Sequence, residues 1–181
     1  MIYNKINSPK KRYLMCGSTG IIGKQLNELF KNTISIDGLS RSNFDFTNIK
    51  MINRYFKKNK KQYNNLIFLI GIAHSKGVKK DIDFYRKNNV DTLKNLMTVL
   101  EKYNIVPEIL IYASTISIYG ESYNNSIIVE ETVKKPKSPY AITKLEAENY
   151  LKKRYPKKYW ILRFSPVYHD TFFLNIHRRT K

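Results

Sequence analysis

Apolar runs of strand length alternate along the chain with stretches of helical period, the pattern of βαβ units and of a parallel sheet covered by helices. Arg12 to Cys16 predicts a first strand, Ile21 to Lys31 a helix and Thr33 to Ser40 a second strand. Asn48 to Asn59 reads as a helix, Asn65 to Ile70 as a buried strand and Asp81 to Tyr103 as a long helix. In that helix Phe84, Val90, Leu93, Leu96, Met97 and Leu100 fall near the 3.6-residue period, so one face packs on the sheet. A further strand runs from Glu108 to Ala113, and the Asn- and Ser-containing stretch from Glu121 to Lys137 reads as an exposed loop. A helix starts at Tyr140, with Ser138 as N-cap and Pro139 at N1, where a missing N–H costs nothing. Tyr159 to Phe164 is the last strand. The expected fold class is therefore α/β with a doubly wound parallel sheet, and no internal repeat or linker composition marks a second domain.

At 181 residues the chain is long enough to bury about 70% of the surface its unfolded form exposes, so it needs no disulfide or metal staple. Its composition, 42% apolar with seven Gly and six Pro, excludes collagen-like and disordered classes. The longest apolar run, Leu66 to Ala73, falls far short of the roughly 20 residues of a membrane span. No secretory signal is expected, because the start has basic residues but no apolar core region. The single cysteine, Cys16, points to a reducing, cytoplasmic setting and to a buried small hydrophobe rather than a reactive thiol. Lys and Arg number 33 against 14 Asp and Glu, a formal charge of +19, which raises nucleic acid, anionic membrane or a phosphorylated ligand as partners. The basic residues stand in short groups scattered through the sequence, Lys far outnumbers Arg, and no nucleic-acid motif accompanies them. They read as solvated faces, and a nucleic-acid partner is not expected.

Gly17, Gly20 and Gly23 form G-x-x-G-x-x-G directly after the first strand and at the mouth of the first helix. Glycines there permit a tight turn, close backbone approach to a pyrophosphate and close helix–strand packing, while the helix start favours an anion. Hydroxyls end the strand in Ala113-Ser114-Thr115-Ile116-Ser117-Ile118-Tyr119-Gly120, and Tyr140-Ala-Ile-Thr-Lys144 opens a helix. The spacing of four puts Tyr140 and Lys144 on one helix face, where an ammonium lowers the phenol's pKa from about 10 and makes it a general acid/base. The acidic residue that grips a ribose 2′-OH is expected about 20 residues beyond the glycine turn, and Asp37 and Ser40 compete for that place. His74, His169 and His177 have no partner ligands at metal spacing, and no metal site is expected.

Together GSTGIIG, ASTISIYG and SPYAITKLEAE resemble the extended short-chain dehydrogenase/reductase family, in its NAD(P)-dependent nucleotide-sugar epimerase/dehydratase branch. The resemblance implies a Rossmann-like fold, a basic tail over residues 1–11, a dinucleotide-binding domain over 12–170 and, from 171 to 181, the start of a C-terminal substrate lobe that is otherwise missing. It implies cofactor contacts from Gly17, Thr19, Gly20, Ile21, Ile22 and Gly23, and an adenine-contacting segment at Asp45 and Phe46. The small-residue loop Ile70, Gly71, Ile72 would lie under the cofactor, with Asn89 from the following helix, Ser114, Tyr140 and Lys144 beside it. Pro166 and Val167 would pass the nicotinamide. Thr115, five residues before Gly120, would be the catalytic hydroxyl, with Ser114 the alternative one residue away, Tyr140 the acid/base and Lys144 its electrostatic partner and ribose ligand.

Counted from Gly23 and back from Asp45, the resemblance puts Ser40 at the strand end with Arg41 next, which favours NADP over NAD; Asp37 at that end would favour NAD. The implied substrate is a nucleotide sugar, in cell-surface polysaccharide synthesis. The chain departs from the family where Arg163-Phe-Ser-Pro-Val-Tyr-His169 stands for Arg-Pro-x-Asn-Val-Tyr-Gly, so the substrate-holding Asn is absent. The alternatives to a catalytic reading are a non-catalytic dinucleotide-binding remnant or interaction module, and a polyanion binder resting on charge alone. The apolar stretch Phe172 to Ile176 would promote association, for instance into a homo-oligomer.

Overall fold

The computed structural model describes residues 11–73, 81–120, 127–155 and 157–167. Five parallel strands, β1 (Arg12–Cys16), β2 (Ser35–Leu39), β3 (Asn65–Phe68), β4 (Ile109–Thr115) and β5 (Lys158–Phe164), form one sheet in the order β2-β1-β3-β4-β5. The helices are α1 (Ile21–Phe30), α2 (Ile49–Lys58), α3 (Ile82–Arg86), α4 (Thr92–Lys102) and α5 (Pro139–Arg154). Right-handed crossovers fix their faces. The chain moves outward from β1 to β2 through α1 and then back across β1 to β3, β4 and β5 through the rest. So α1 lies on one face and α2, α4 and α5 on the other, a Rossmann-like doubly wound arrangement whose switch point falls between β1 and β3.

The main core fills the second face. Register places Leu14, Leu66, Leu110 and Tyr159 in one row across β1, β3, β4 and β5. Cys16, Phe68 and Tyr112 come from the next row, and Ile52, Phe56, Leu93, Leu96, Leu100 and Leu151 pack down on them from the helices. Burial pushes the Cys16 thiol above its ordinary range, in keeping with a packing role. On the opposite face, over β5, Trp160 and Leu162 remain 52% and 41% exposed.

The long helix expected from Asp81 to Tyr103 is present as α3 and α4 joined by a π-helical turn at Lys87–Asp91. The extra residue of that turn shifts the helical phase, so Tyr85 is buried and Phe84 only half-buried. β3 stops at Phe68, two residues earlier than expected, and β4 runs on to Thr115, two residues further. The histidines, the basic tail before Lys11 and the stretch 171–181 lie outside the described residues, as does the 121–126 part of the expected loop.

A parallel sheet with antiparallel helices sends every helix start to the carboxyl end of the strands and every helix finish to the amino end. Basic groups scattered in the sequence are thereby gathered. Lys57, Lys58, Lys102, Lys152, Lys153 and Arg154 close α2, α4 and α5 at the amino end of the sheet.

Candidate active site

The first half of the site is made of backbone. After β1 the chain turns at Gly17 with φ of 95°, a conformation that L side chains rarely adopt, and a Cβ there would meet the Leu69 Cβ at 3.1 Å. Its N–H and that of Ser18 both donate to the Leu39 carbonyl, at 2.8 and 3.2 Å, tying the turn to the end of β2. A Cβ on Gly23 would lie 2.4 Å from the Gly17 carbonyl oxygen, so this glycine lets α1 pack on the turn. Gly20 differs. Its φ is −68° and its only near neighbour would be the Gly17 oxygen at 3.3 Å, so the backbone does not require a glycine there and packing opposes a side chain much less than at Gly23. Its open side faces the start of α1, where no side chain caps the first turn and the free N–H groups offer an anion site. Thr19 and Ile21 are exposed at this mouth and Ile22 half-buried.

At the end of β2, Asp37 lies two residues inside the strand and its carboxylate accepts from Tyr63 Oη and Lys61 Nζ, each at 3.0 Å. It is committed to the loop before β3. Ser40 is the first residue past the strand, buried, with its Oγ 2.7 Å from Ser42 Oγ and donating to Asn43 Oδ1 at 3.2 Å. Arg41 is exposed and reaches across to Asn88 Oδ1 at 3.4 Å. Asp45 is exposed, whereas Phe46 is 2% exposed and turned into the core, its carbonyl accepting from Asn95 Nδ2. The expected adenine-contacting pair is thus split between surface and core.

Beyond β3 the loop is held by one buried amide. Asn89 Oδ1 accepts from Ile72 N at 2.7 Å, while its Nδ2 donates to the Ile72 carbonyl at 3.2 Å and to Thr143 Oγ1 at 3.1 Å. The π-helical turn presents this side chain, and such turns recur at functional sites. Ile70 points into the core and Gly71 outward; a Cβ on Gly71 would come within 3.6 Å of Lys144 Nζ and 3.7 Å of Asn89 Oδ1.

The second half of the site is made of side chains. Ser138 caps α5 by accepting from Ala141 N at 3.2 Å, Pro139 occupies N1, and Tyr140, half-buried, stands one turn before Lys144. Lys144 is 3% exposed; its Nζ donates to the Ala113 carbonyl and lies 4.1 Å from the centre of the Tyr112 ring. Burial strips the amine of water and lowers its pKa from 10.5 to about 7, with Glu148 pushing the other way. Near neutrality the amine is therefore only part-charged. The Tyr112 hydroxyl is buried with no hydrogen-bond partner, and burial raises its pKa well above the ordinary range.

The two hydroxyls at the end of β4 part company. Ser114 Oγ donates to Glu148 Oε1 at 2.6 Å, beneath α5, whereas Thr115 Oγ1 donates to Ser117 Oγ at 3.1 Å at the strand tip. Glu148 is fully buried and forms a two-pronged pair with Arg163, whose Nε and Nη2 donate at 3.1 and 2.8 Å. Arg163 Nη1 donates onward to Tyr119 Oη at 2.7 Å. Glu148 and Thr143 were not expected from the sequence, although Glu148 follows Lys144 by the same four residues that separate Lys144 from Tyr140. Pro166 and Val167 end the described chain beyond β5, half-buried and exposed.

The NAD dependent epimerase/dehydratase family matches residues 13–171. Among curated proteins, a Bacillus subtilis (strain 168) protein described as the uncharacterized UDP-glucose epimerase YtcB is 33% identical over 87 residues, covering 46% of this chain and 26% of that protein. A dTDP-4-dehydrorhamnose reductase from Clostridium acetobutylicum ATCC 824 superimposes with a TM-score of 0.73 at 26% identity, over 88% of this chain and 55% of its own. A Thermus thermophilus UDP-glucose 4-epimerase in complex with NAD gives 0.71 at 25% identity, over 84% and 54%. This chain thus spans little more than half the length of these solved relatives. With the match running from β1 past β5, the chain belongs to the NAD dependent epimerase/dehydratase family.

Proposed function

We propose that these residues form the cofactor-binding part of an enzyme that uses a nicotinamide dinucleotide to epimerise, dehydrate or reduce a nucleotide sugar. The observation that carries this reading is convergence at the carboxyl end of the sheet. Gly20, a glycine whose backbone conformation does not demand one, opens beside an uncapped helix start, and across the switch point the Lys144 amine reaches Gly71 and Ala113. Relatives described as a dTDP-4-dehydrorhamnose reductase and an NAD-bound UDP-glucose 4-epimerase support the substrate and cofactor classes.

The turn from Gly17 to Gly23 would hold the pyrophosphate, Ile70 to Ile72 and Asn89 the middle of the cofactor, and Ser114, Pro166 and Val167 its nicotinamide end. When bound, the nicotinamide supplies a hydride acceptor and donor. Tyr140 removes a proton from a sugar hydroxyl and returns it, Thr115 holds the oxygen that gains or loses charge, and Lys144 stabilises the phenolate when protonated. Asp37 is engaged by Tyr63 and Lys61, while Ser40 ends the strand with the Arg41 guanidinium next to it; this supports a ribose 2′-phosphate and hence NADP over NAD.

Isothermal titration tests the reading. The chain is expected to bind NADP more tightly than NAD, and Gly20→Val to weaken both at least tenfold with an unchanged circular dichroism spectrum. Equal binding by the variant overturns the site, and tighter NAD binding overturns the cofactor choice. Conversion of an added nucleotide sugar, read by separating product from substrate, tests the substrate class; reduced-cofactor absorbance falls only if the reaction is a net reduction, because epimerisation and dehydration return the hydride.

A further inference from the structure

The charge of the molecule is distributed by its topology. At the amino end of the sheet, α2 finishes in Lys57 and Lys58 and runs into Lys60 and Lys61, all exposed. α5 finishes in Lys152, Lys153 and Arg154, and β5 begins after Lys157 with Lys158. Lys11 and Arg12 at the start of β1, Lys31 after α1 and Lys102 at the end of α4 join them, again exposed. These segments meet in space: Lys157 Nζ donates to the Val106 carbonyl just before β4, and Arg154 lies 3.7 Å from Glu101. The carboxylates at this end are few, Glu28, Asp37, Glu101 and Glu108, and Asp37 and Glu101 are already paired.

The carboxyl end, where the candidate site lies, is much closer to balance among the described residues. Arg86 sits between Asp83 and Glu146 at 2.9 Å from each, Arg163 is paired with Glu148 and Lys94 lies 3.9 Å from Asp91, while Asp45, Asp81, Glu130 and Glu131 offset part of the charge of Lys24, Arg41, Lys50, Lys87, Lys134, Lys135 and Lys137. The helix dipole accounts for some basic residues in last turns. It does not account for those in the loops and strand starts, whose mutual repulsion an anionic partner would relieve.

We propose that the amino end of the sheet is a docking surface for an anionic lipid bilayer, with the candidate site at the opposite end left facing the solution. Two features favour a bilayer over a nucleic acid. The cations are lysines, with Arg12 and Arg154 the exceptions; lysine is a point charge on a flexible stem that suits a planar, fluid array of headgroups, whereas bidentate recognition of phosphates and bases favours arginine. Beside this end, on the face of β5 away from the described α2, α4 and α5, stands the chain's one tryptophan, Trp160, exposed next to Leu162 with Lys158 Nζ 5.3 Å above its ring. Tryptophan and lysine together are the pair that settles at a membrane–water interface. No described helix is long and apolar enough to cross a membrane, so the contact is peripheral.

The experiment is co-sedimentation of the full 181-residue chain with vesicles of phosphatidylcholine alone or with three parts in ten phosphatidylserine, at low and high salt. Each lysine near such a surface is worth about a fivefold gain. Binding is expected to the anionic vesicles only, weakening with salt, with a blue shift of Trp160 emission. K57Q/K58Q/K152Q/K153Q should lose at least tenfold, while K50Q/K87Q/K134Q/K135Q, which removes the same charge from the other end, should lose less than twofold. Both variants should keep dinucleotide affinity and circular dichroism, which shows that they fold. Equal loss in the two variants means net charge without a surface and overturns the proposal. So does binding of duplex or single-stranded RNA under salt conditions where vesicles are not bound, and an unshifted Trp160 emission overturns the docked orientation.

Discussion

Around β1 and α1 the site is built from missing side chains, whereas around β4, α5 and β5 it is built from buried charged ones. Gly17, Gly20 and Gly23 leave room, and what they offer a ligand is fixed N–H groups whose partial charge does not titrate. Lys144, Glu148 and Arg163 fill room, and each is a charge taken out of water that must be compensated by a neighbour. The first half should therefore respond to volume and ignore pH. The second should respond to charge and pH and tolerate changes of volume better.

The largest effect is expected from Glu148→Gln. The variant leaves the Arg163 guanidinium, whose side chain is 14% exposed, without its counter-charge, and removal of one partner of a buried pair costs about 3–5 kcal/mol. Urea denaturation of the variant reads it directly. A loss below about 1 kcal/mol would show that this half is not held by charge. Gly23→Ala comes next: its Cβ would face the Gly17 oxygen at 2.4 Å and the Ser18 Cα at 2.8 Å, backbone atoms that cannot swing aside. Overpacking of this kind costs about 1–3 kcal/mol. Gly20→Ala, with 3.3 Å to its one near neighbour, should cost less in stability and more in dinucleotide affinity. If the two alanine variants lose stability equally, the distinction between a packing glycine and a ligand glycine fails.

Lys144 gives the sharpest pH test. Folded, its amine has a pKa of about 7; unfolded, it returns to about 10.5. Between these values the unfolded chain binds more protons than the folded one, so stability rises with pH through that window. At about 1.4 kcal/mol per pH unit, the gain between pH 7 and 9 is about 2 kcal/mol. Lys144→Met should lack this rise, and parallel pH profiles for wild type and variant would show that the buried amine is not the source.

How much of this was legible follows the same division. The glycine turn could be read because its requirements are local: a strand, three glycines at fixed spacing and a helix. The start of α5 was equally local, and Ser138, Pro139 and the residues after them form the expected cap. The Glu148–Arg163 pair was not read, because its partners lie on α5 and β5 and only the tertiary fold shows that both sit beneath Ser114. The π-helical turn escaped because one inserted residue leaves the apolar period on either side intact while rotating Tyr85 inward in place of Phe84. The gathering of lysines at one end of the sheet was hidden for a third reason, since it depends on strand direction, which no single segment carries.

The smallest expected effect separates the two kinds of control within α5 itself. Ser138 Oγ accepts the Ala141 N–H, and Ser138→Ala leaves that donor to water at a cost of about 1 kcal/mol. The cap is neutral, so this loss should be the same at pH 7 and at pH 9, in contrast to the change expected for Lys144→Met a turn and a half further along. Tyr140 lies in the turn that the cap secures, so the same variant should loosen the phenol's position without altering the titration of the amine. Thermal unfolding of Ser138→Ala at the two pH values is sufficient. A loss that grows with pH would mean that the cap and the buried amine act as one unit, and the division of α5 into a neutral start and a charged interior would have to be abandoned.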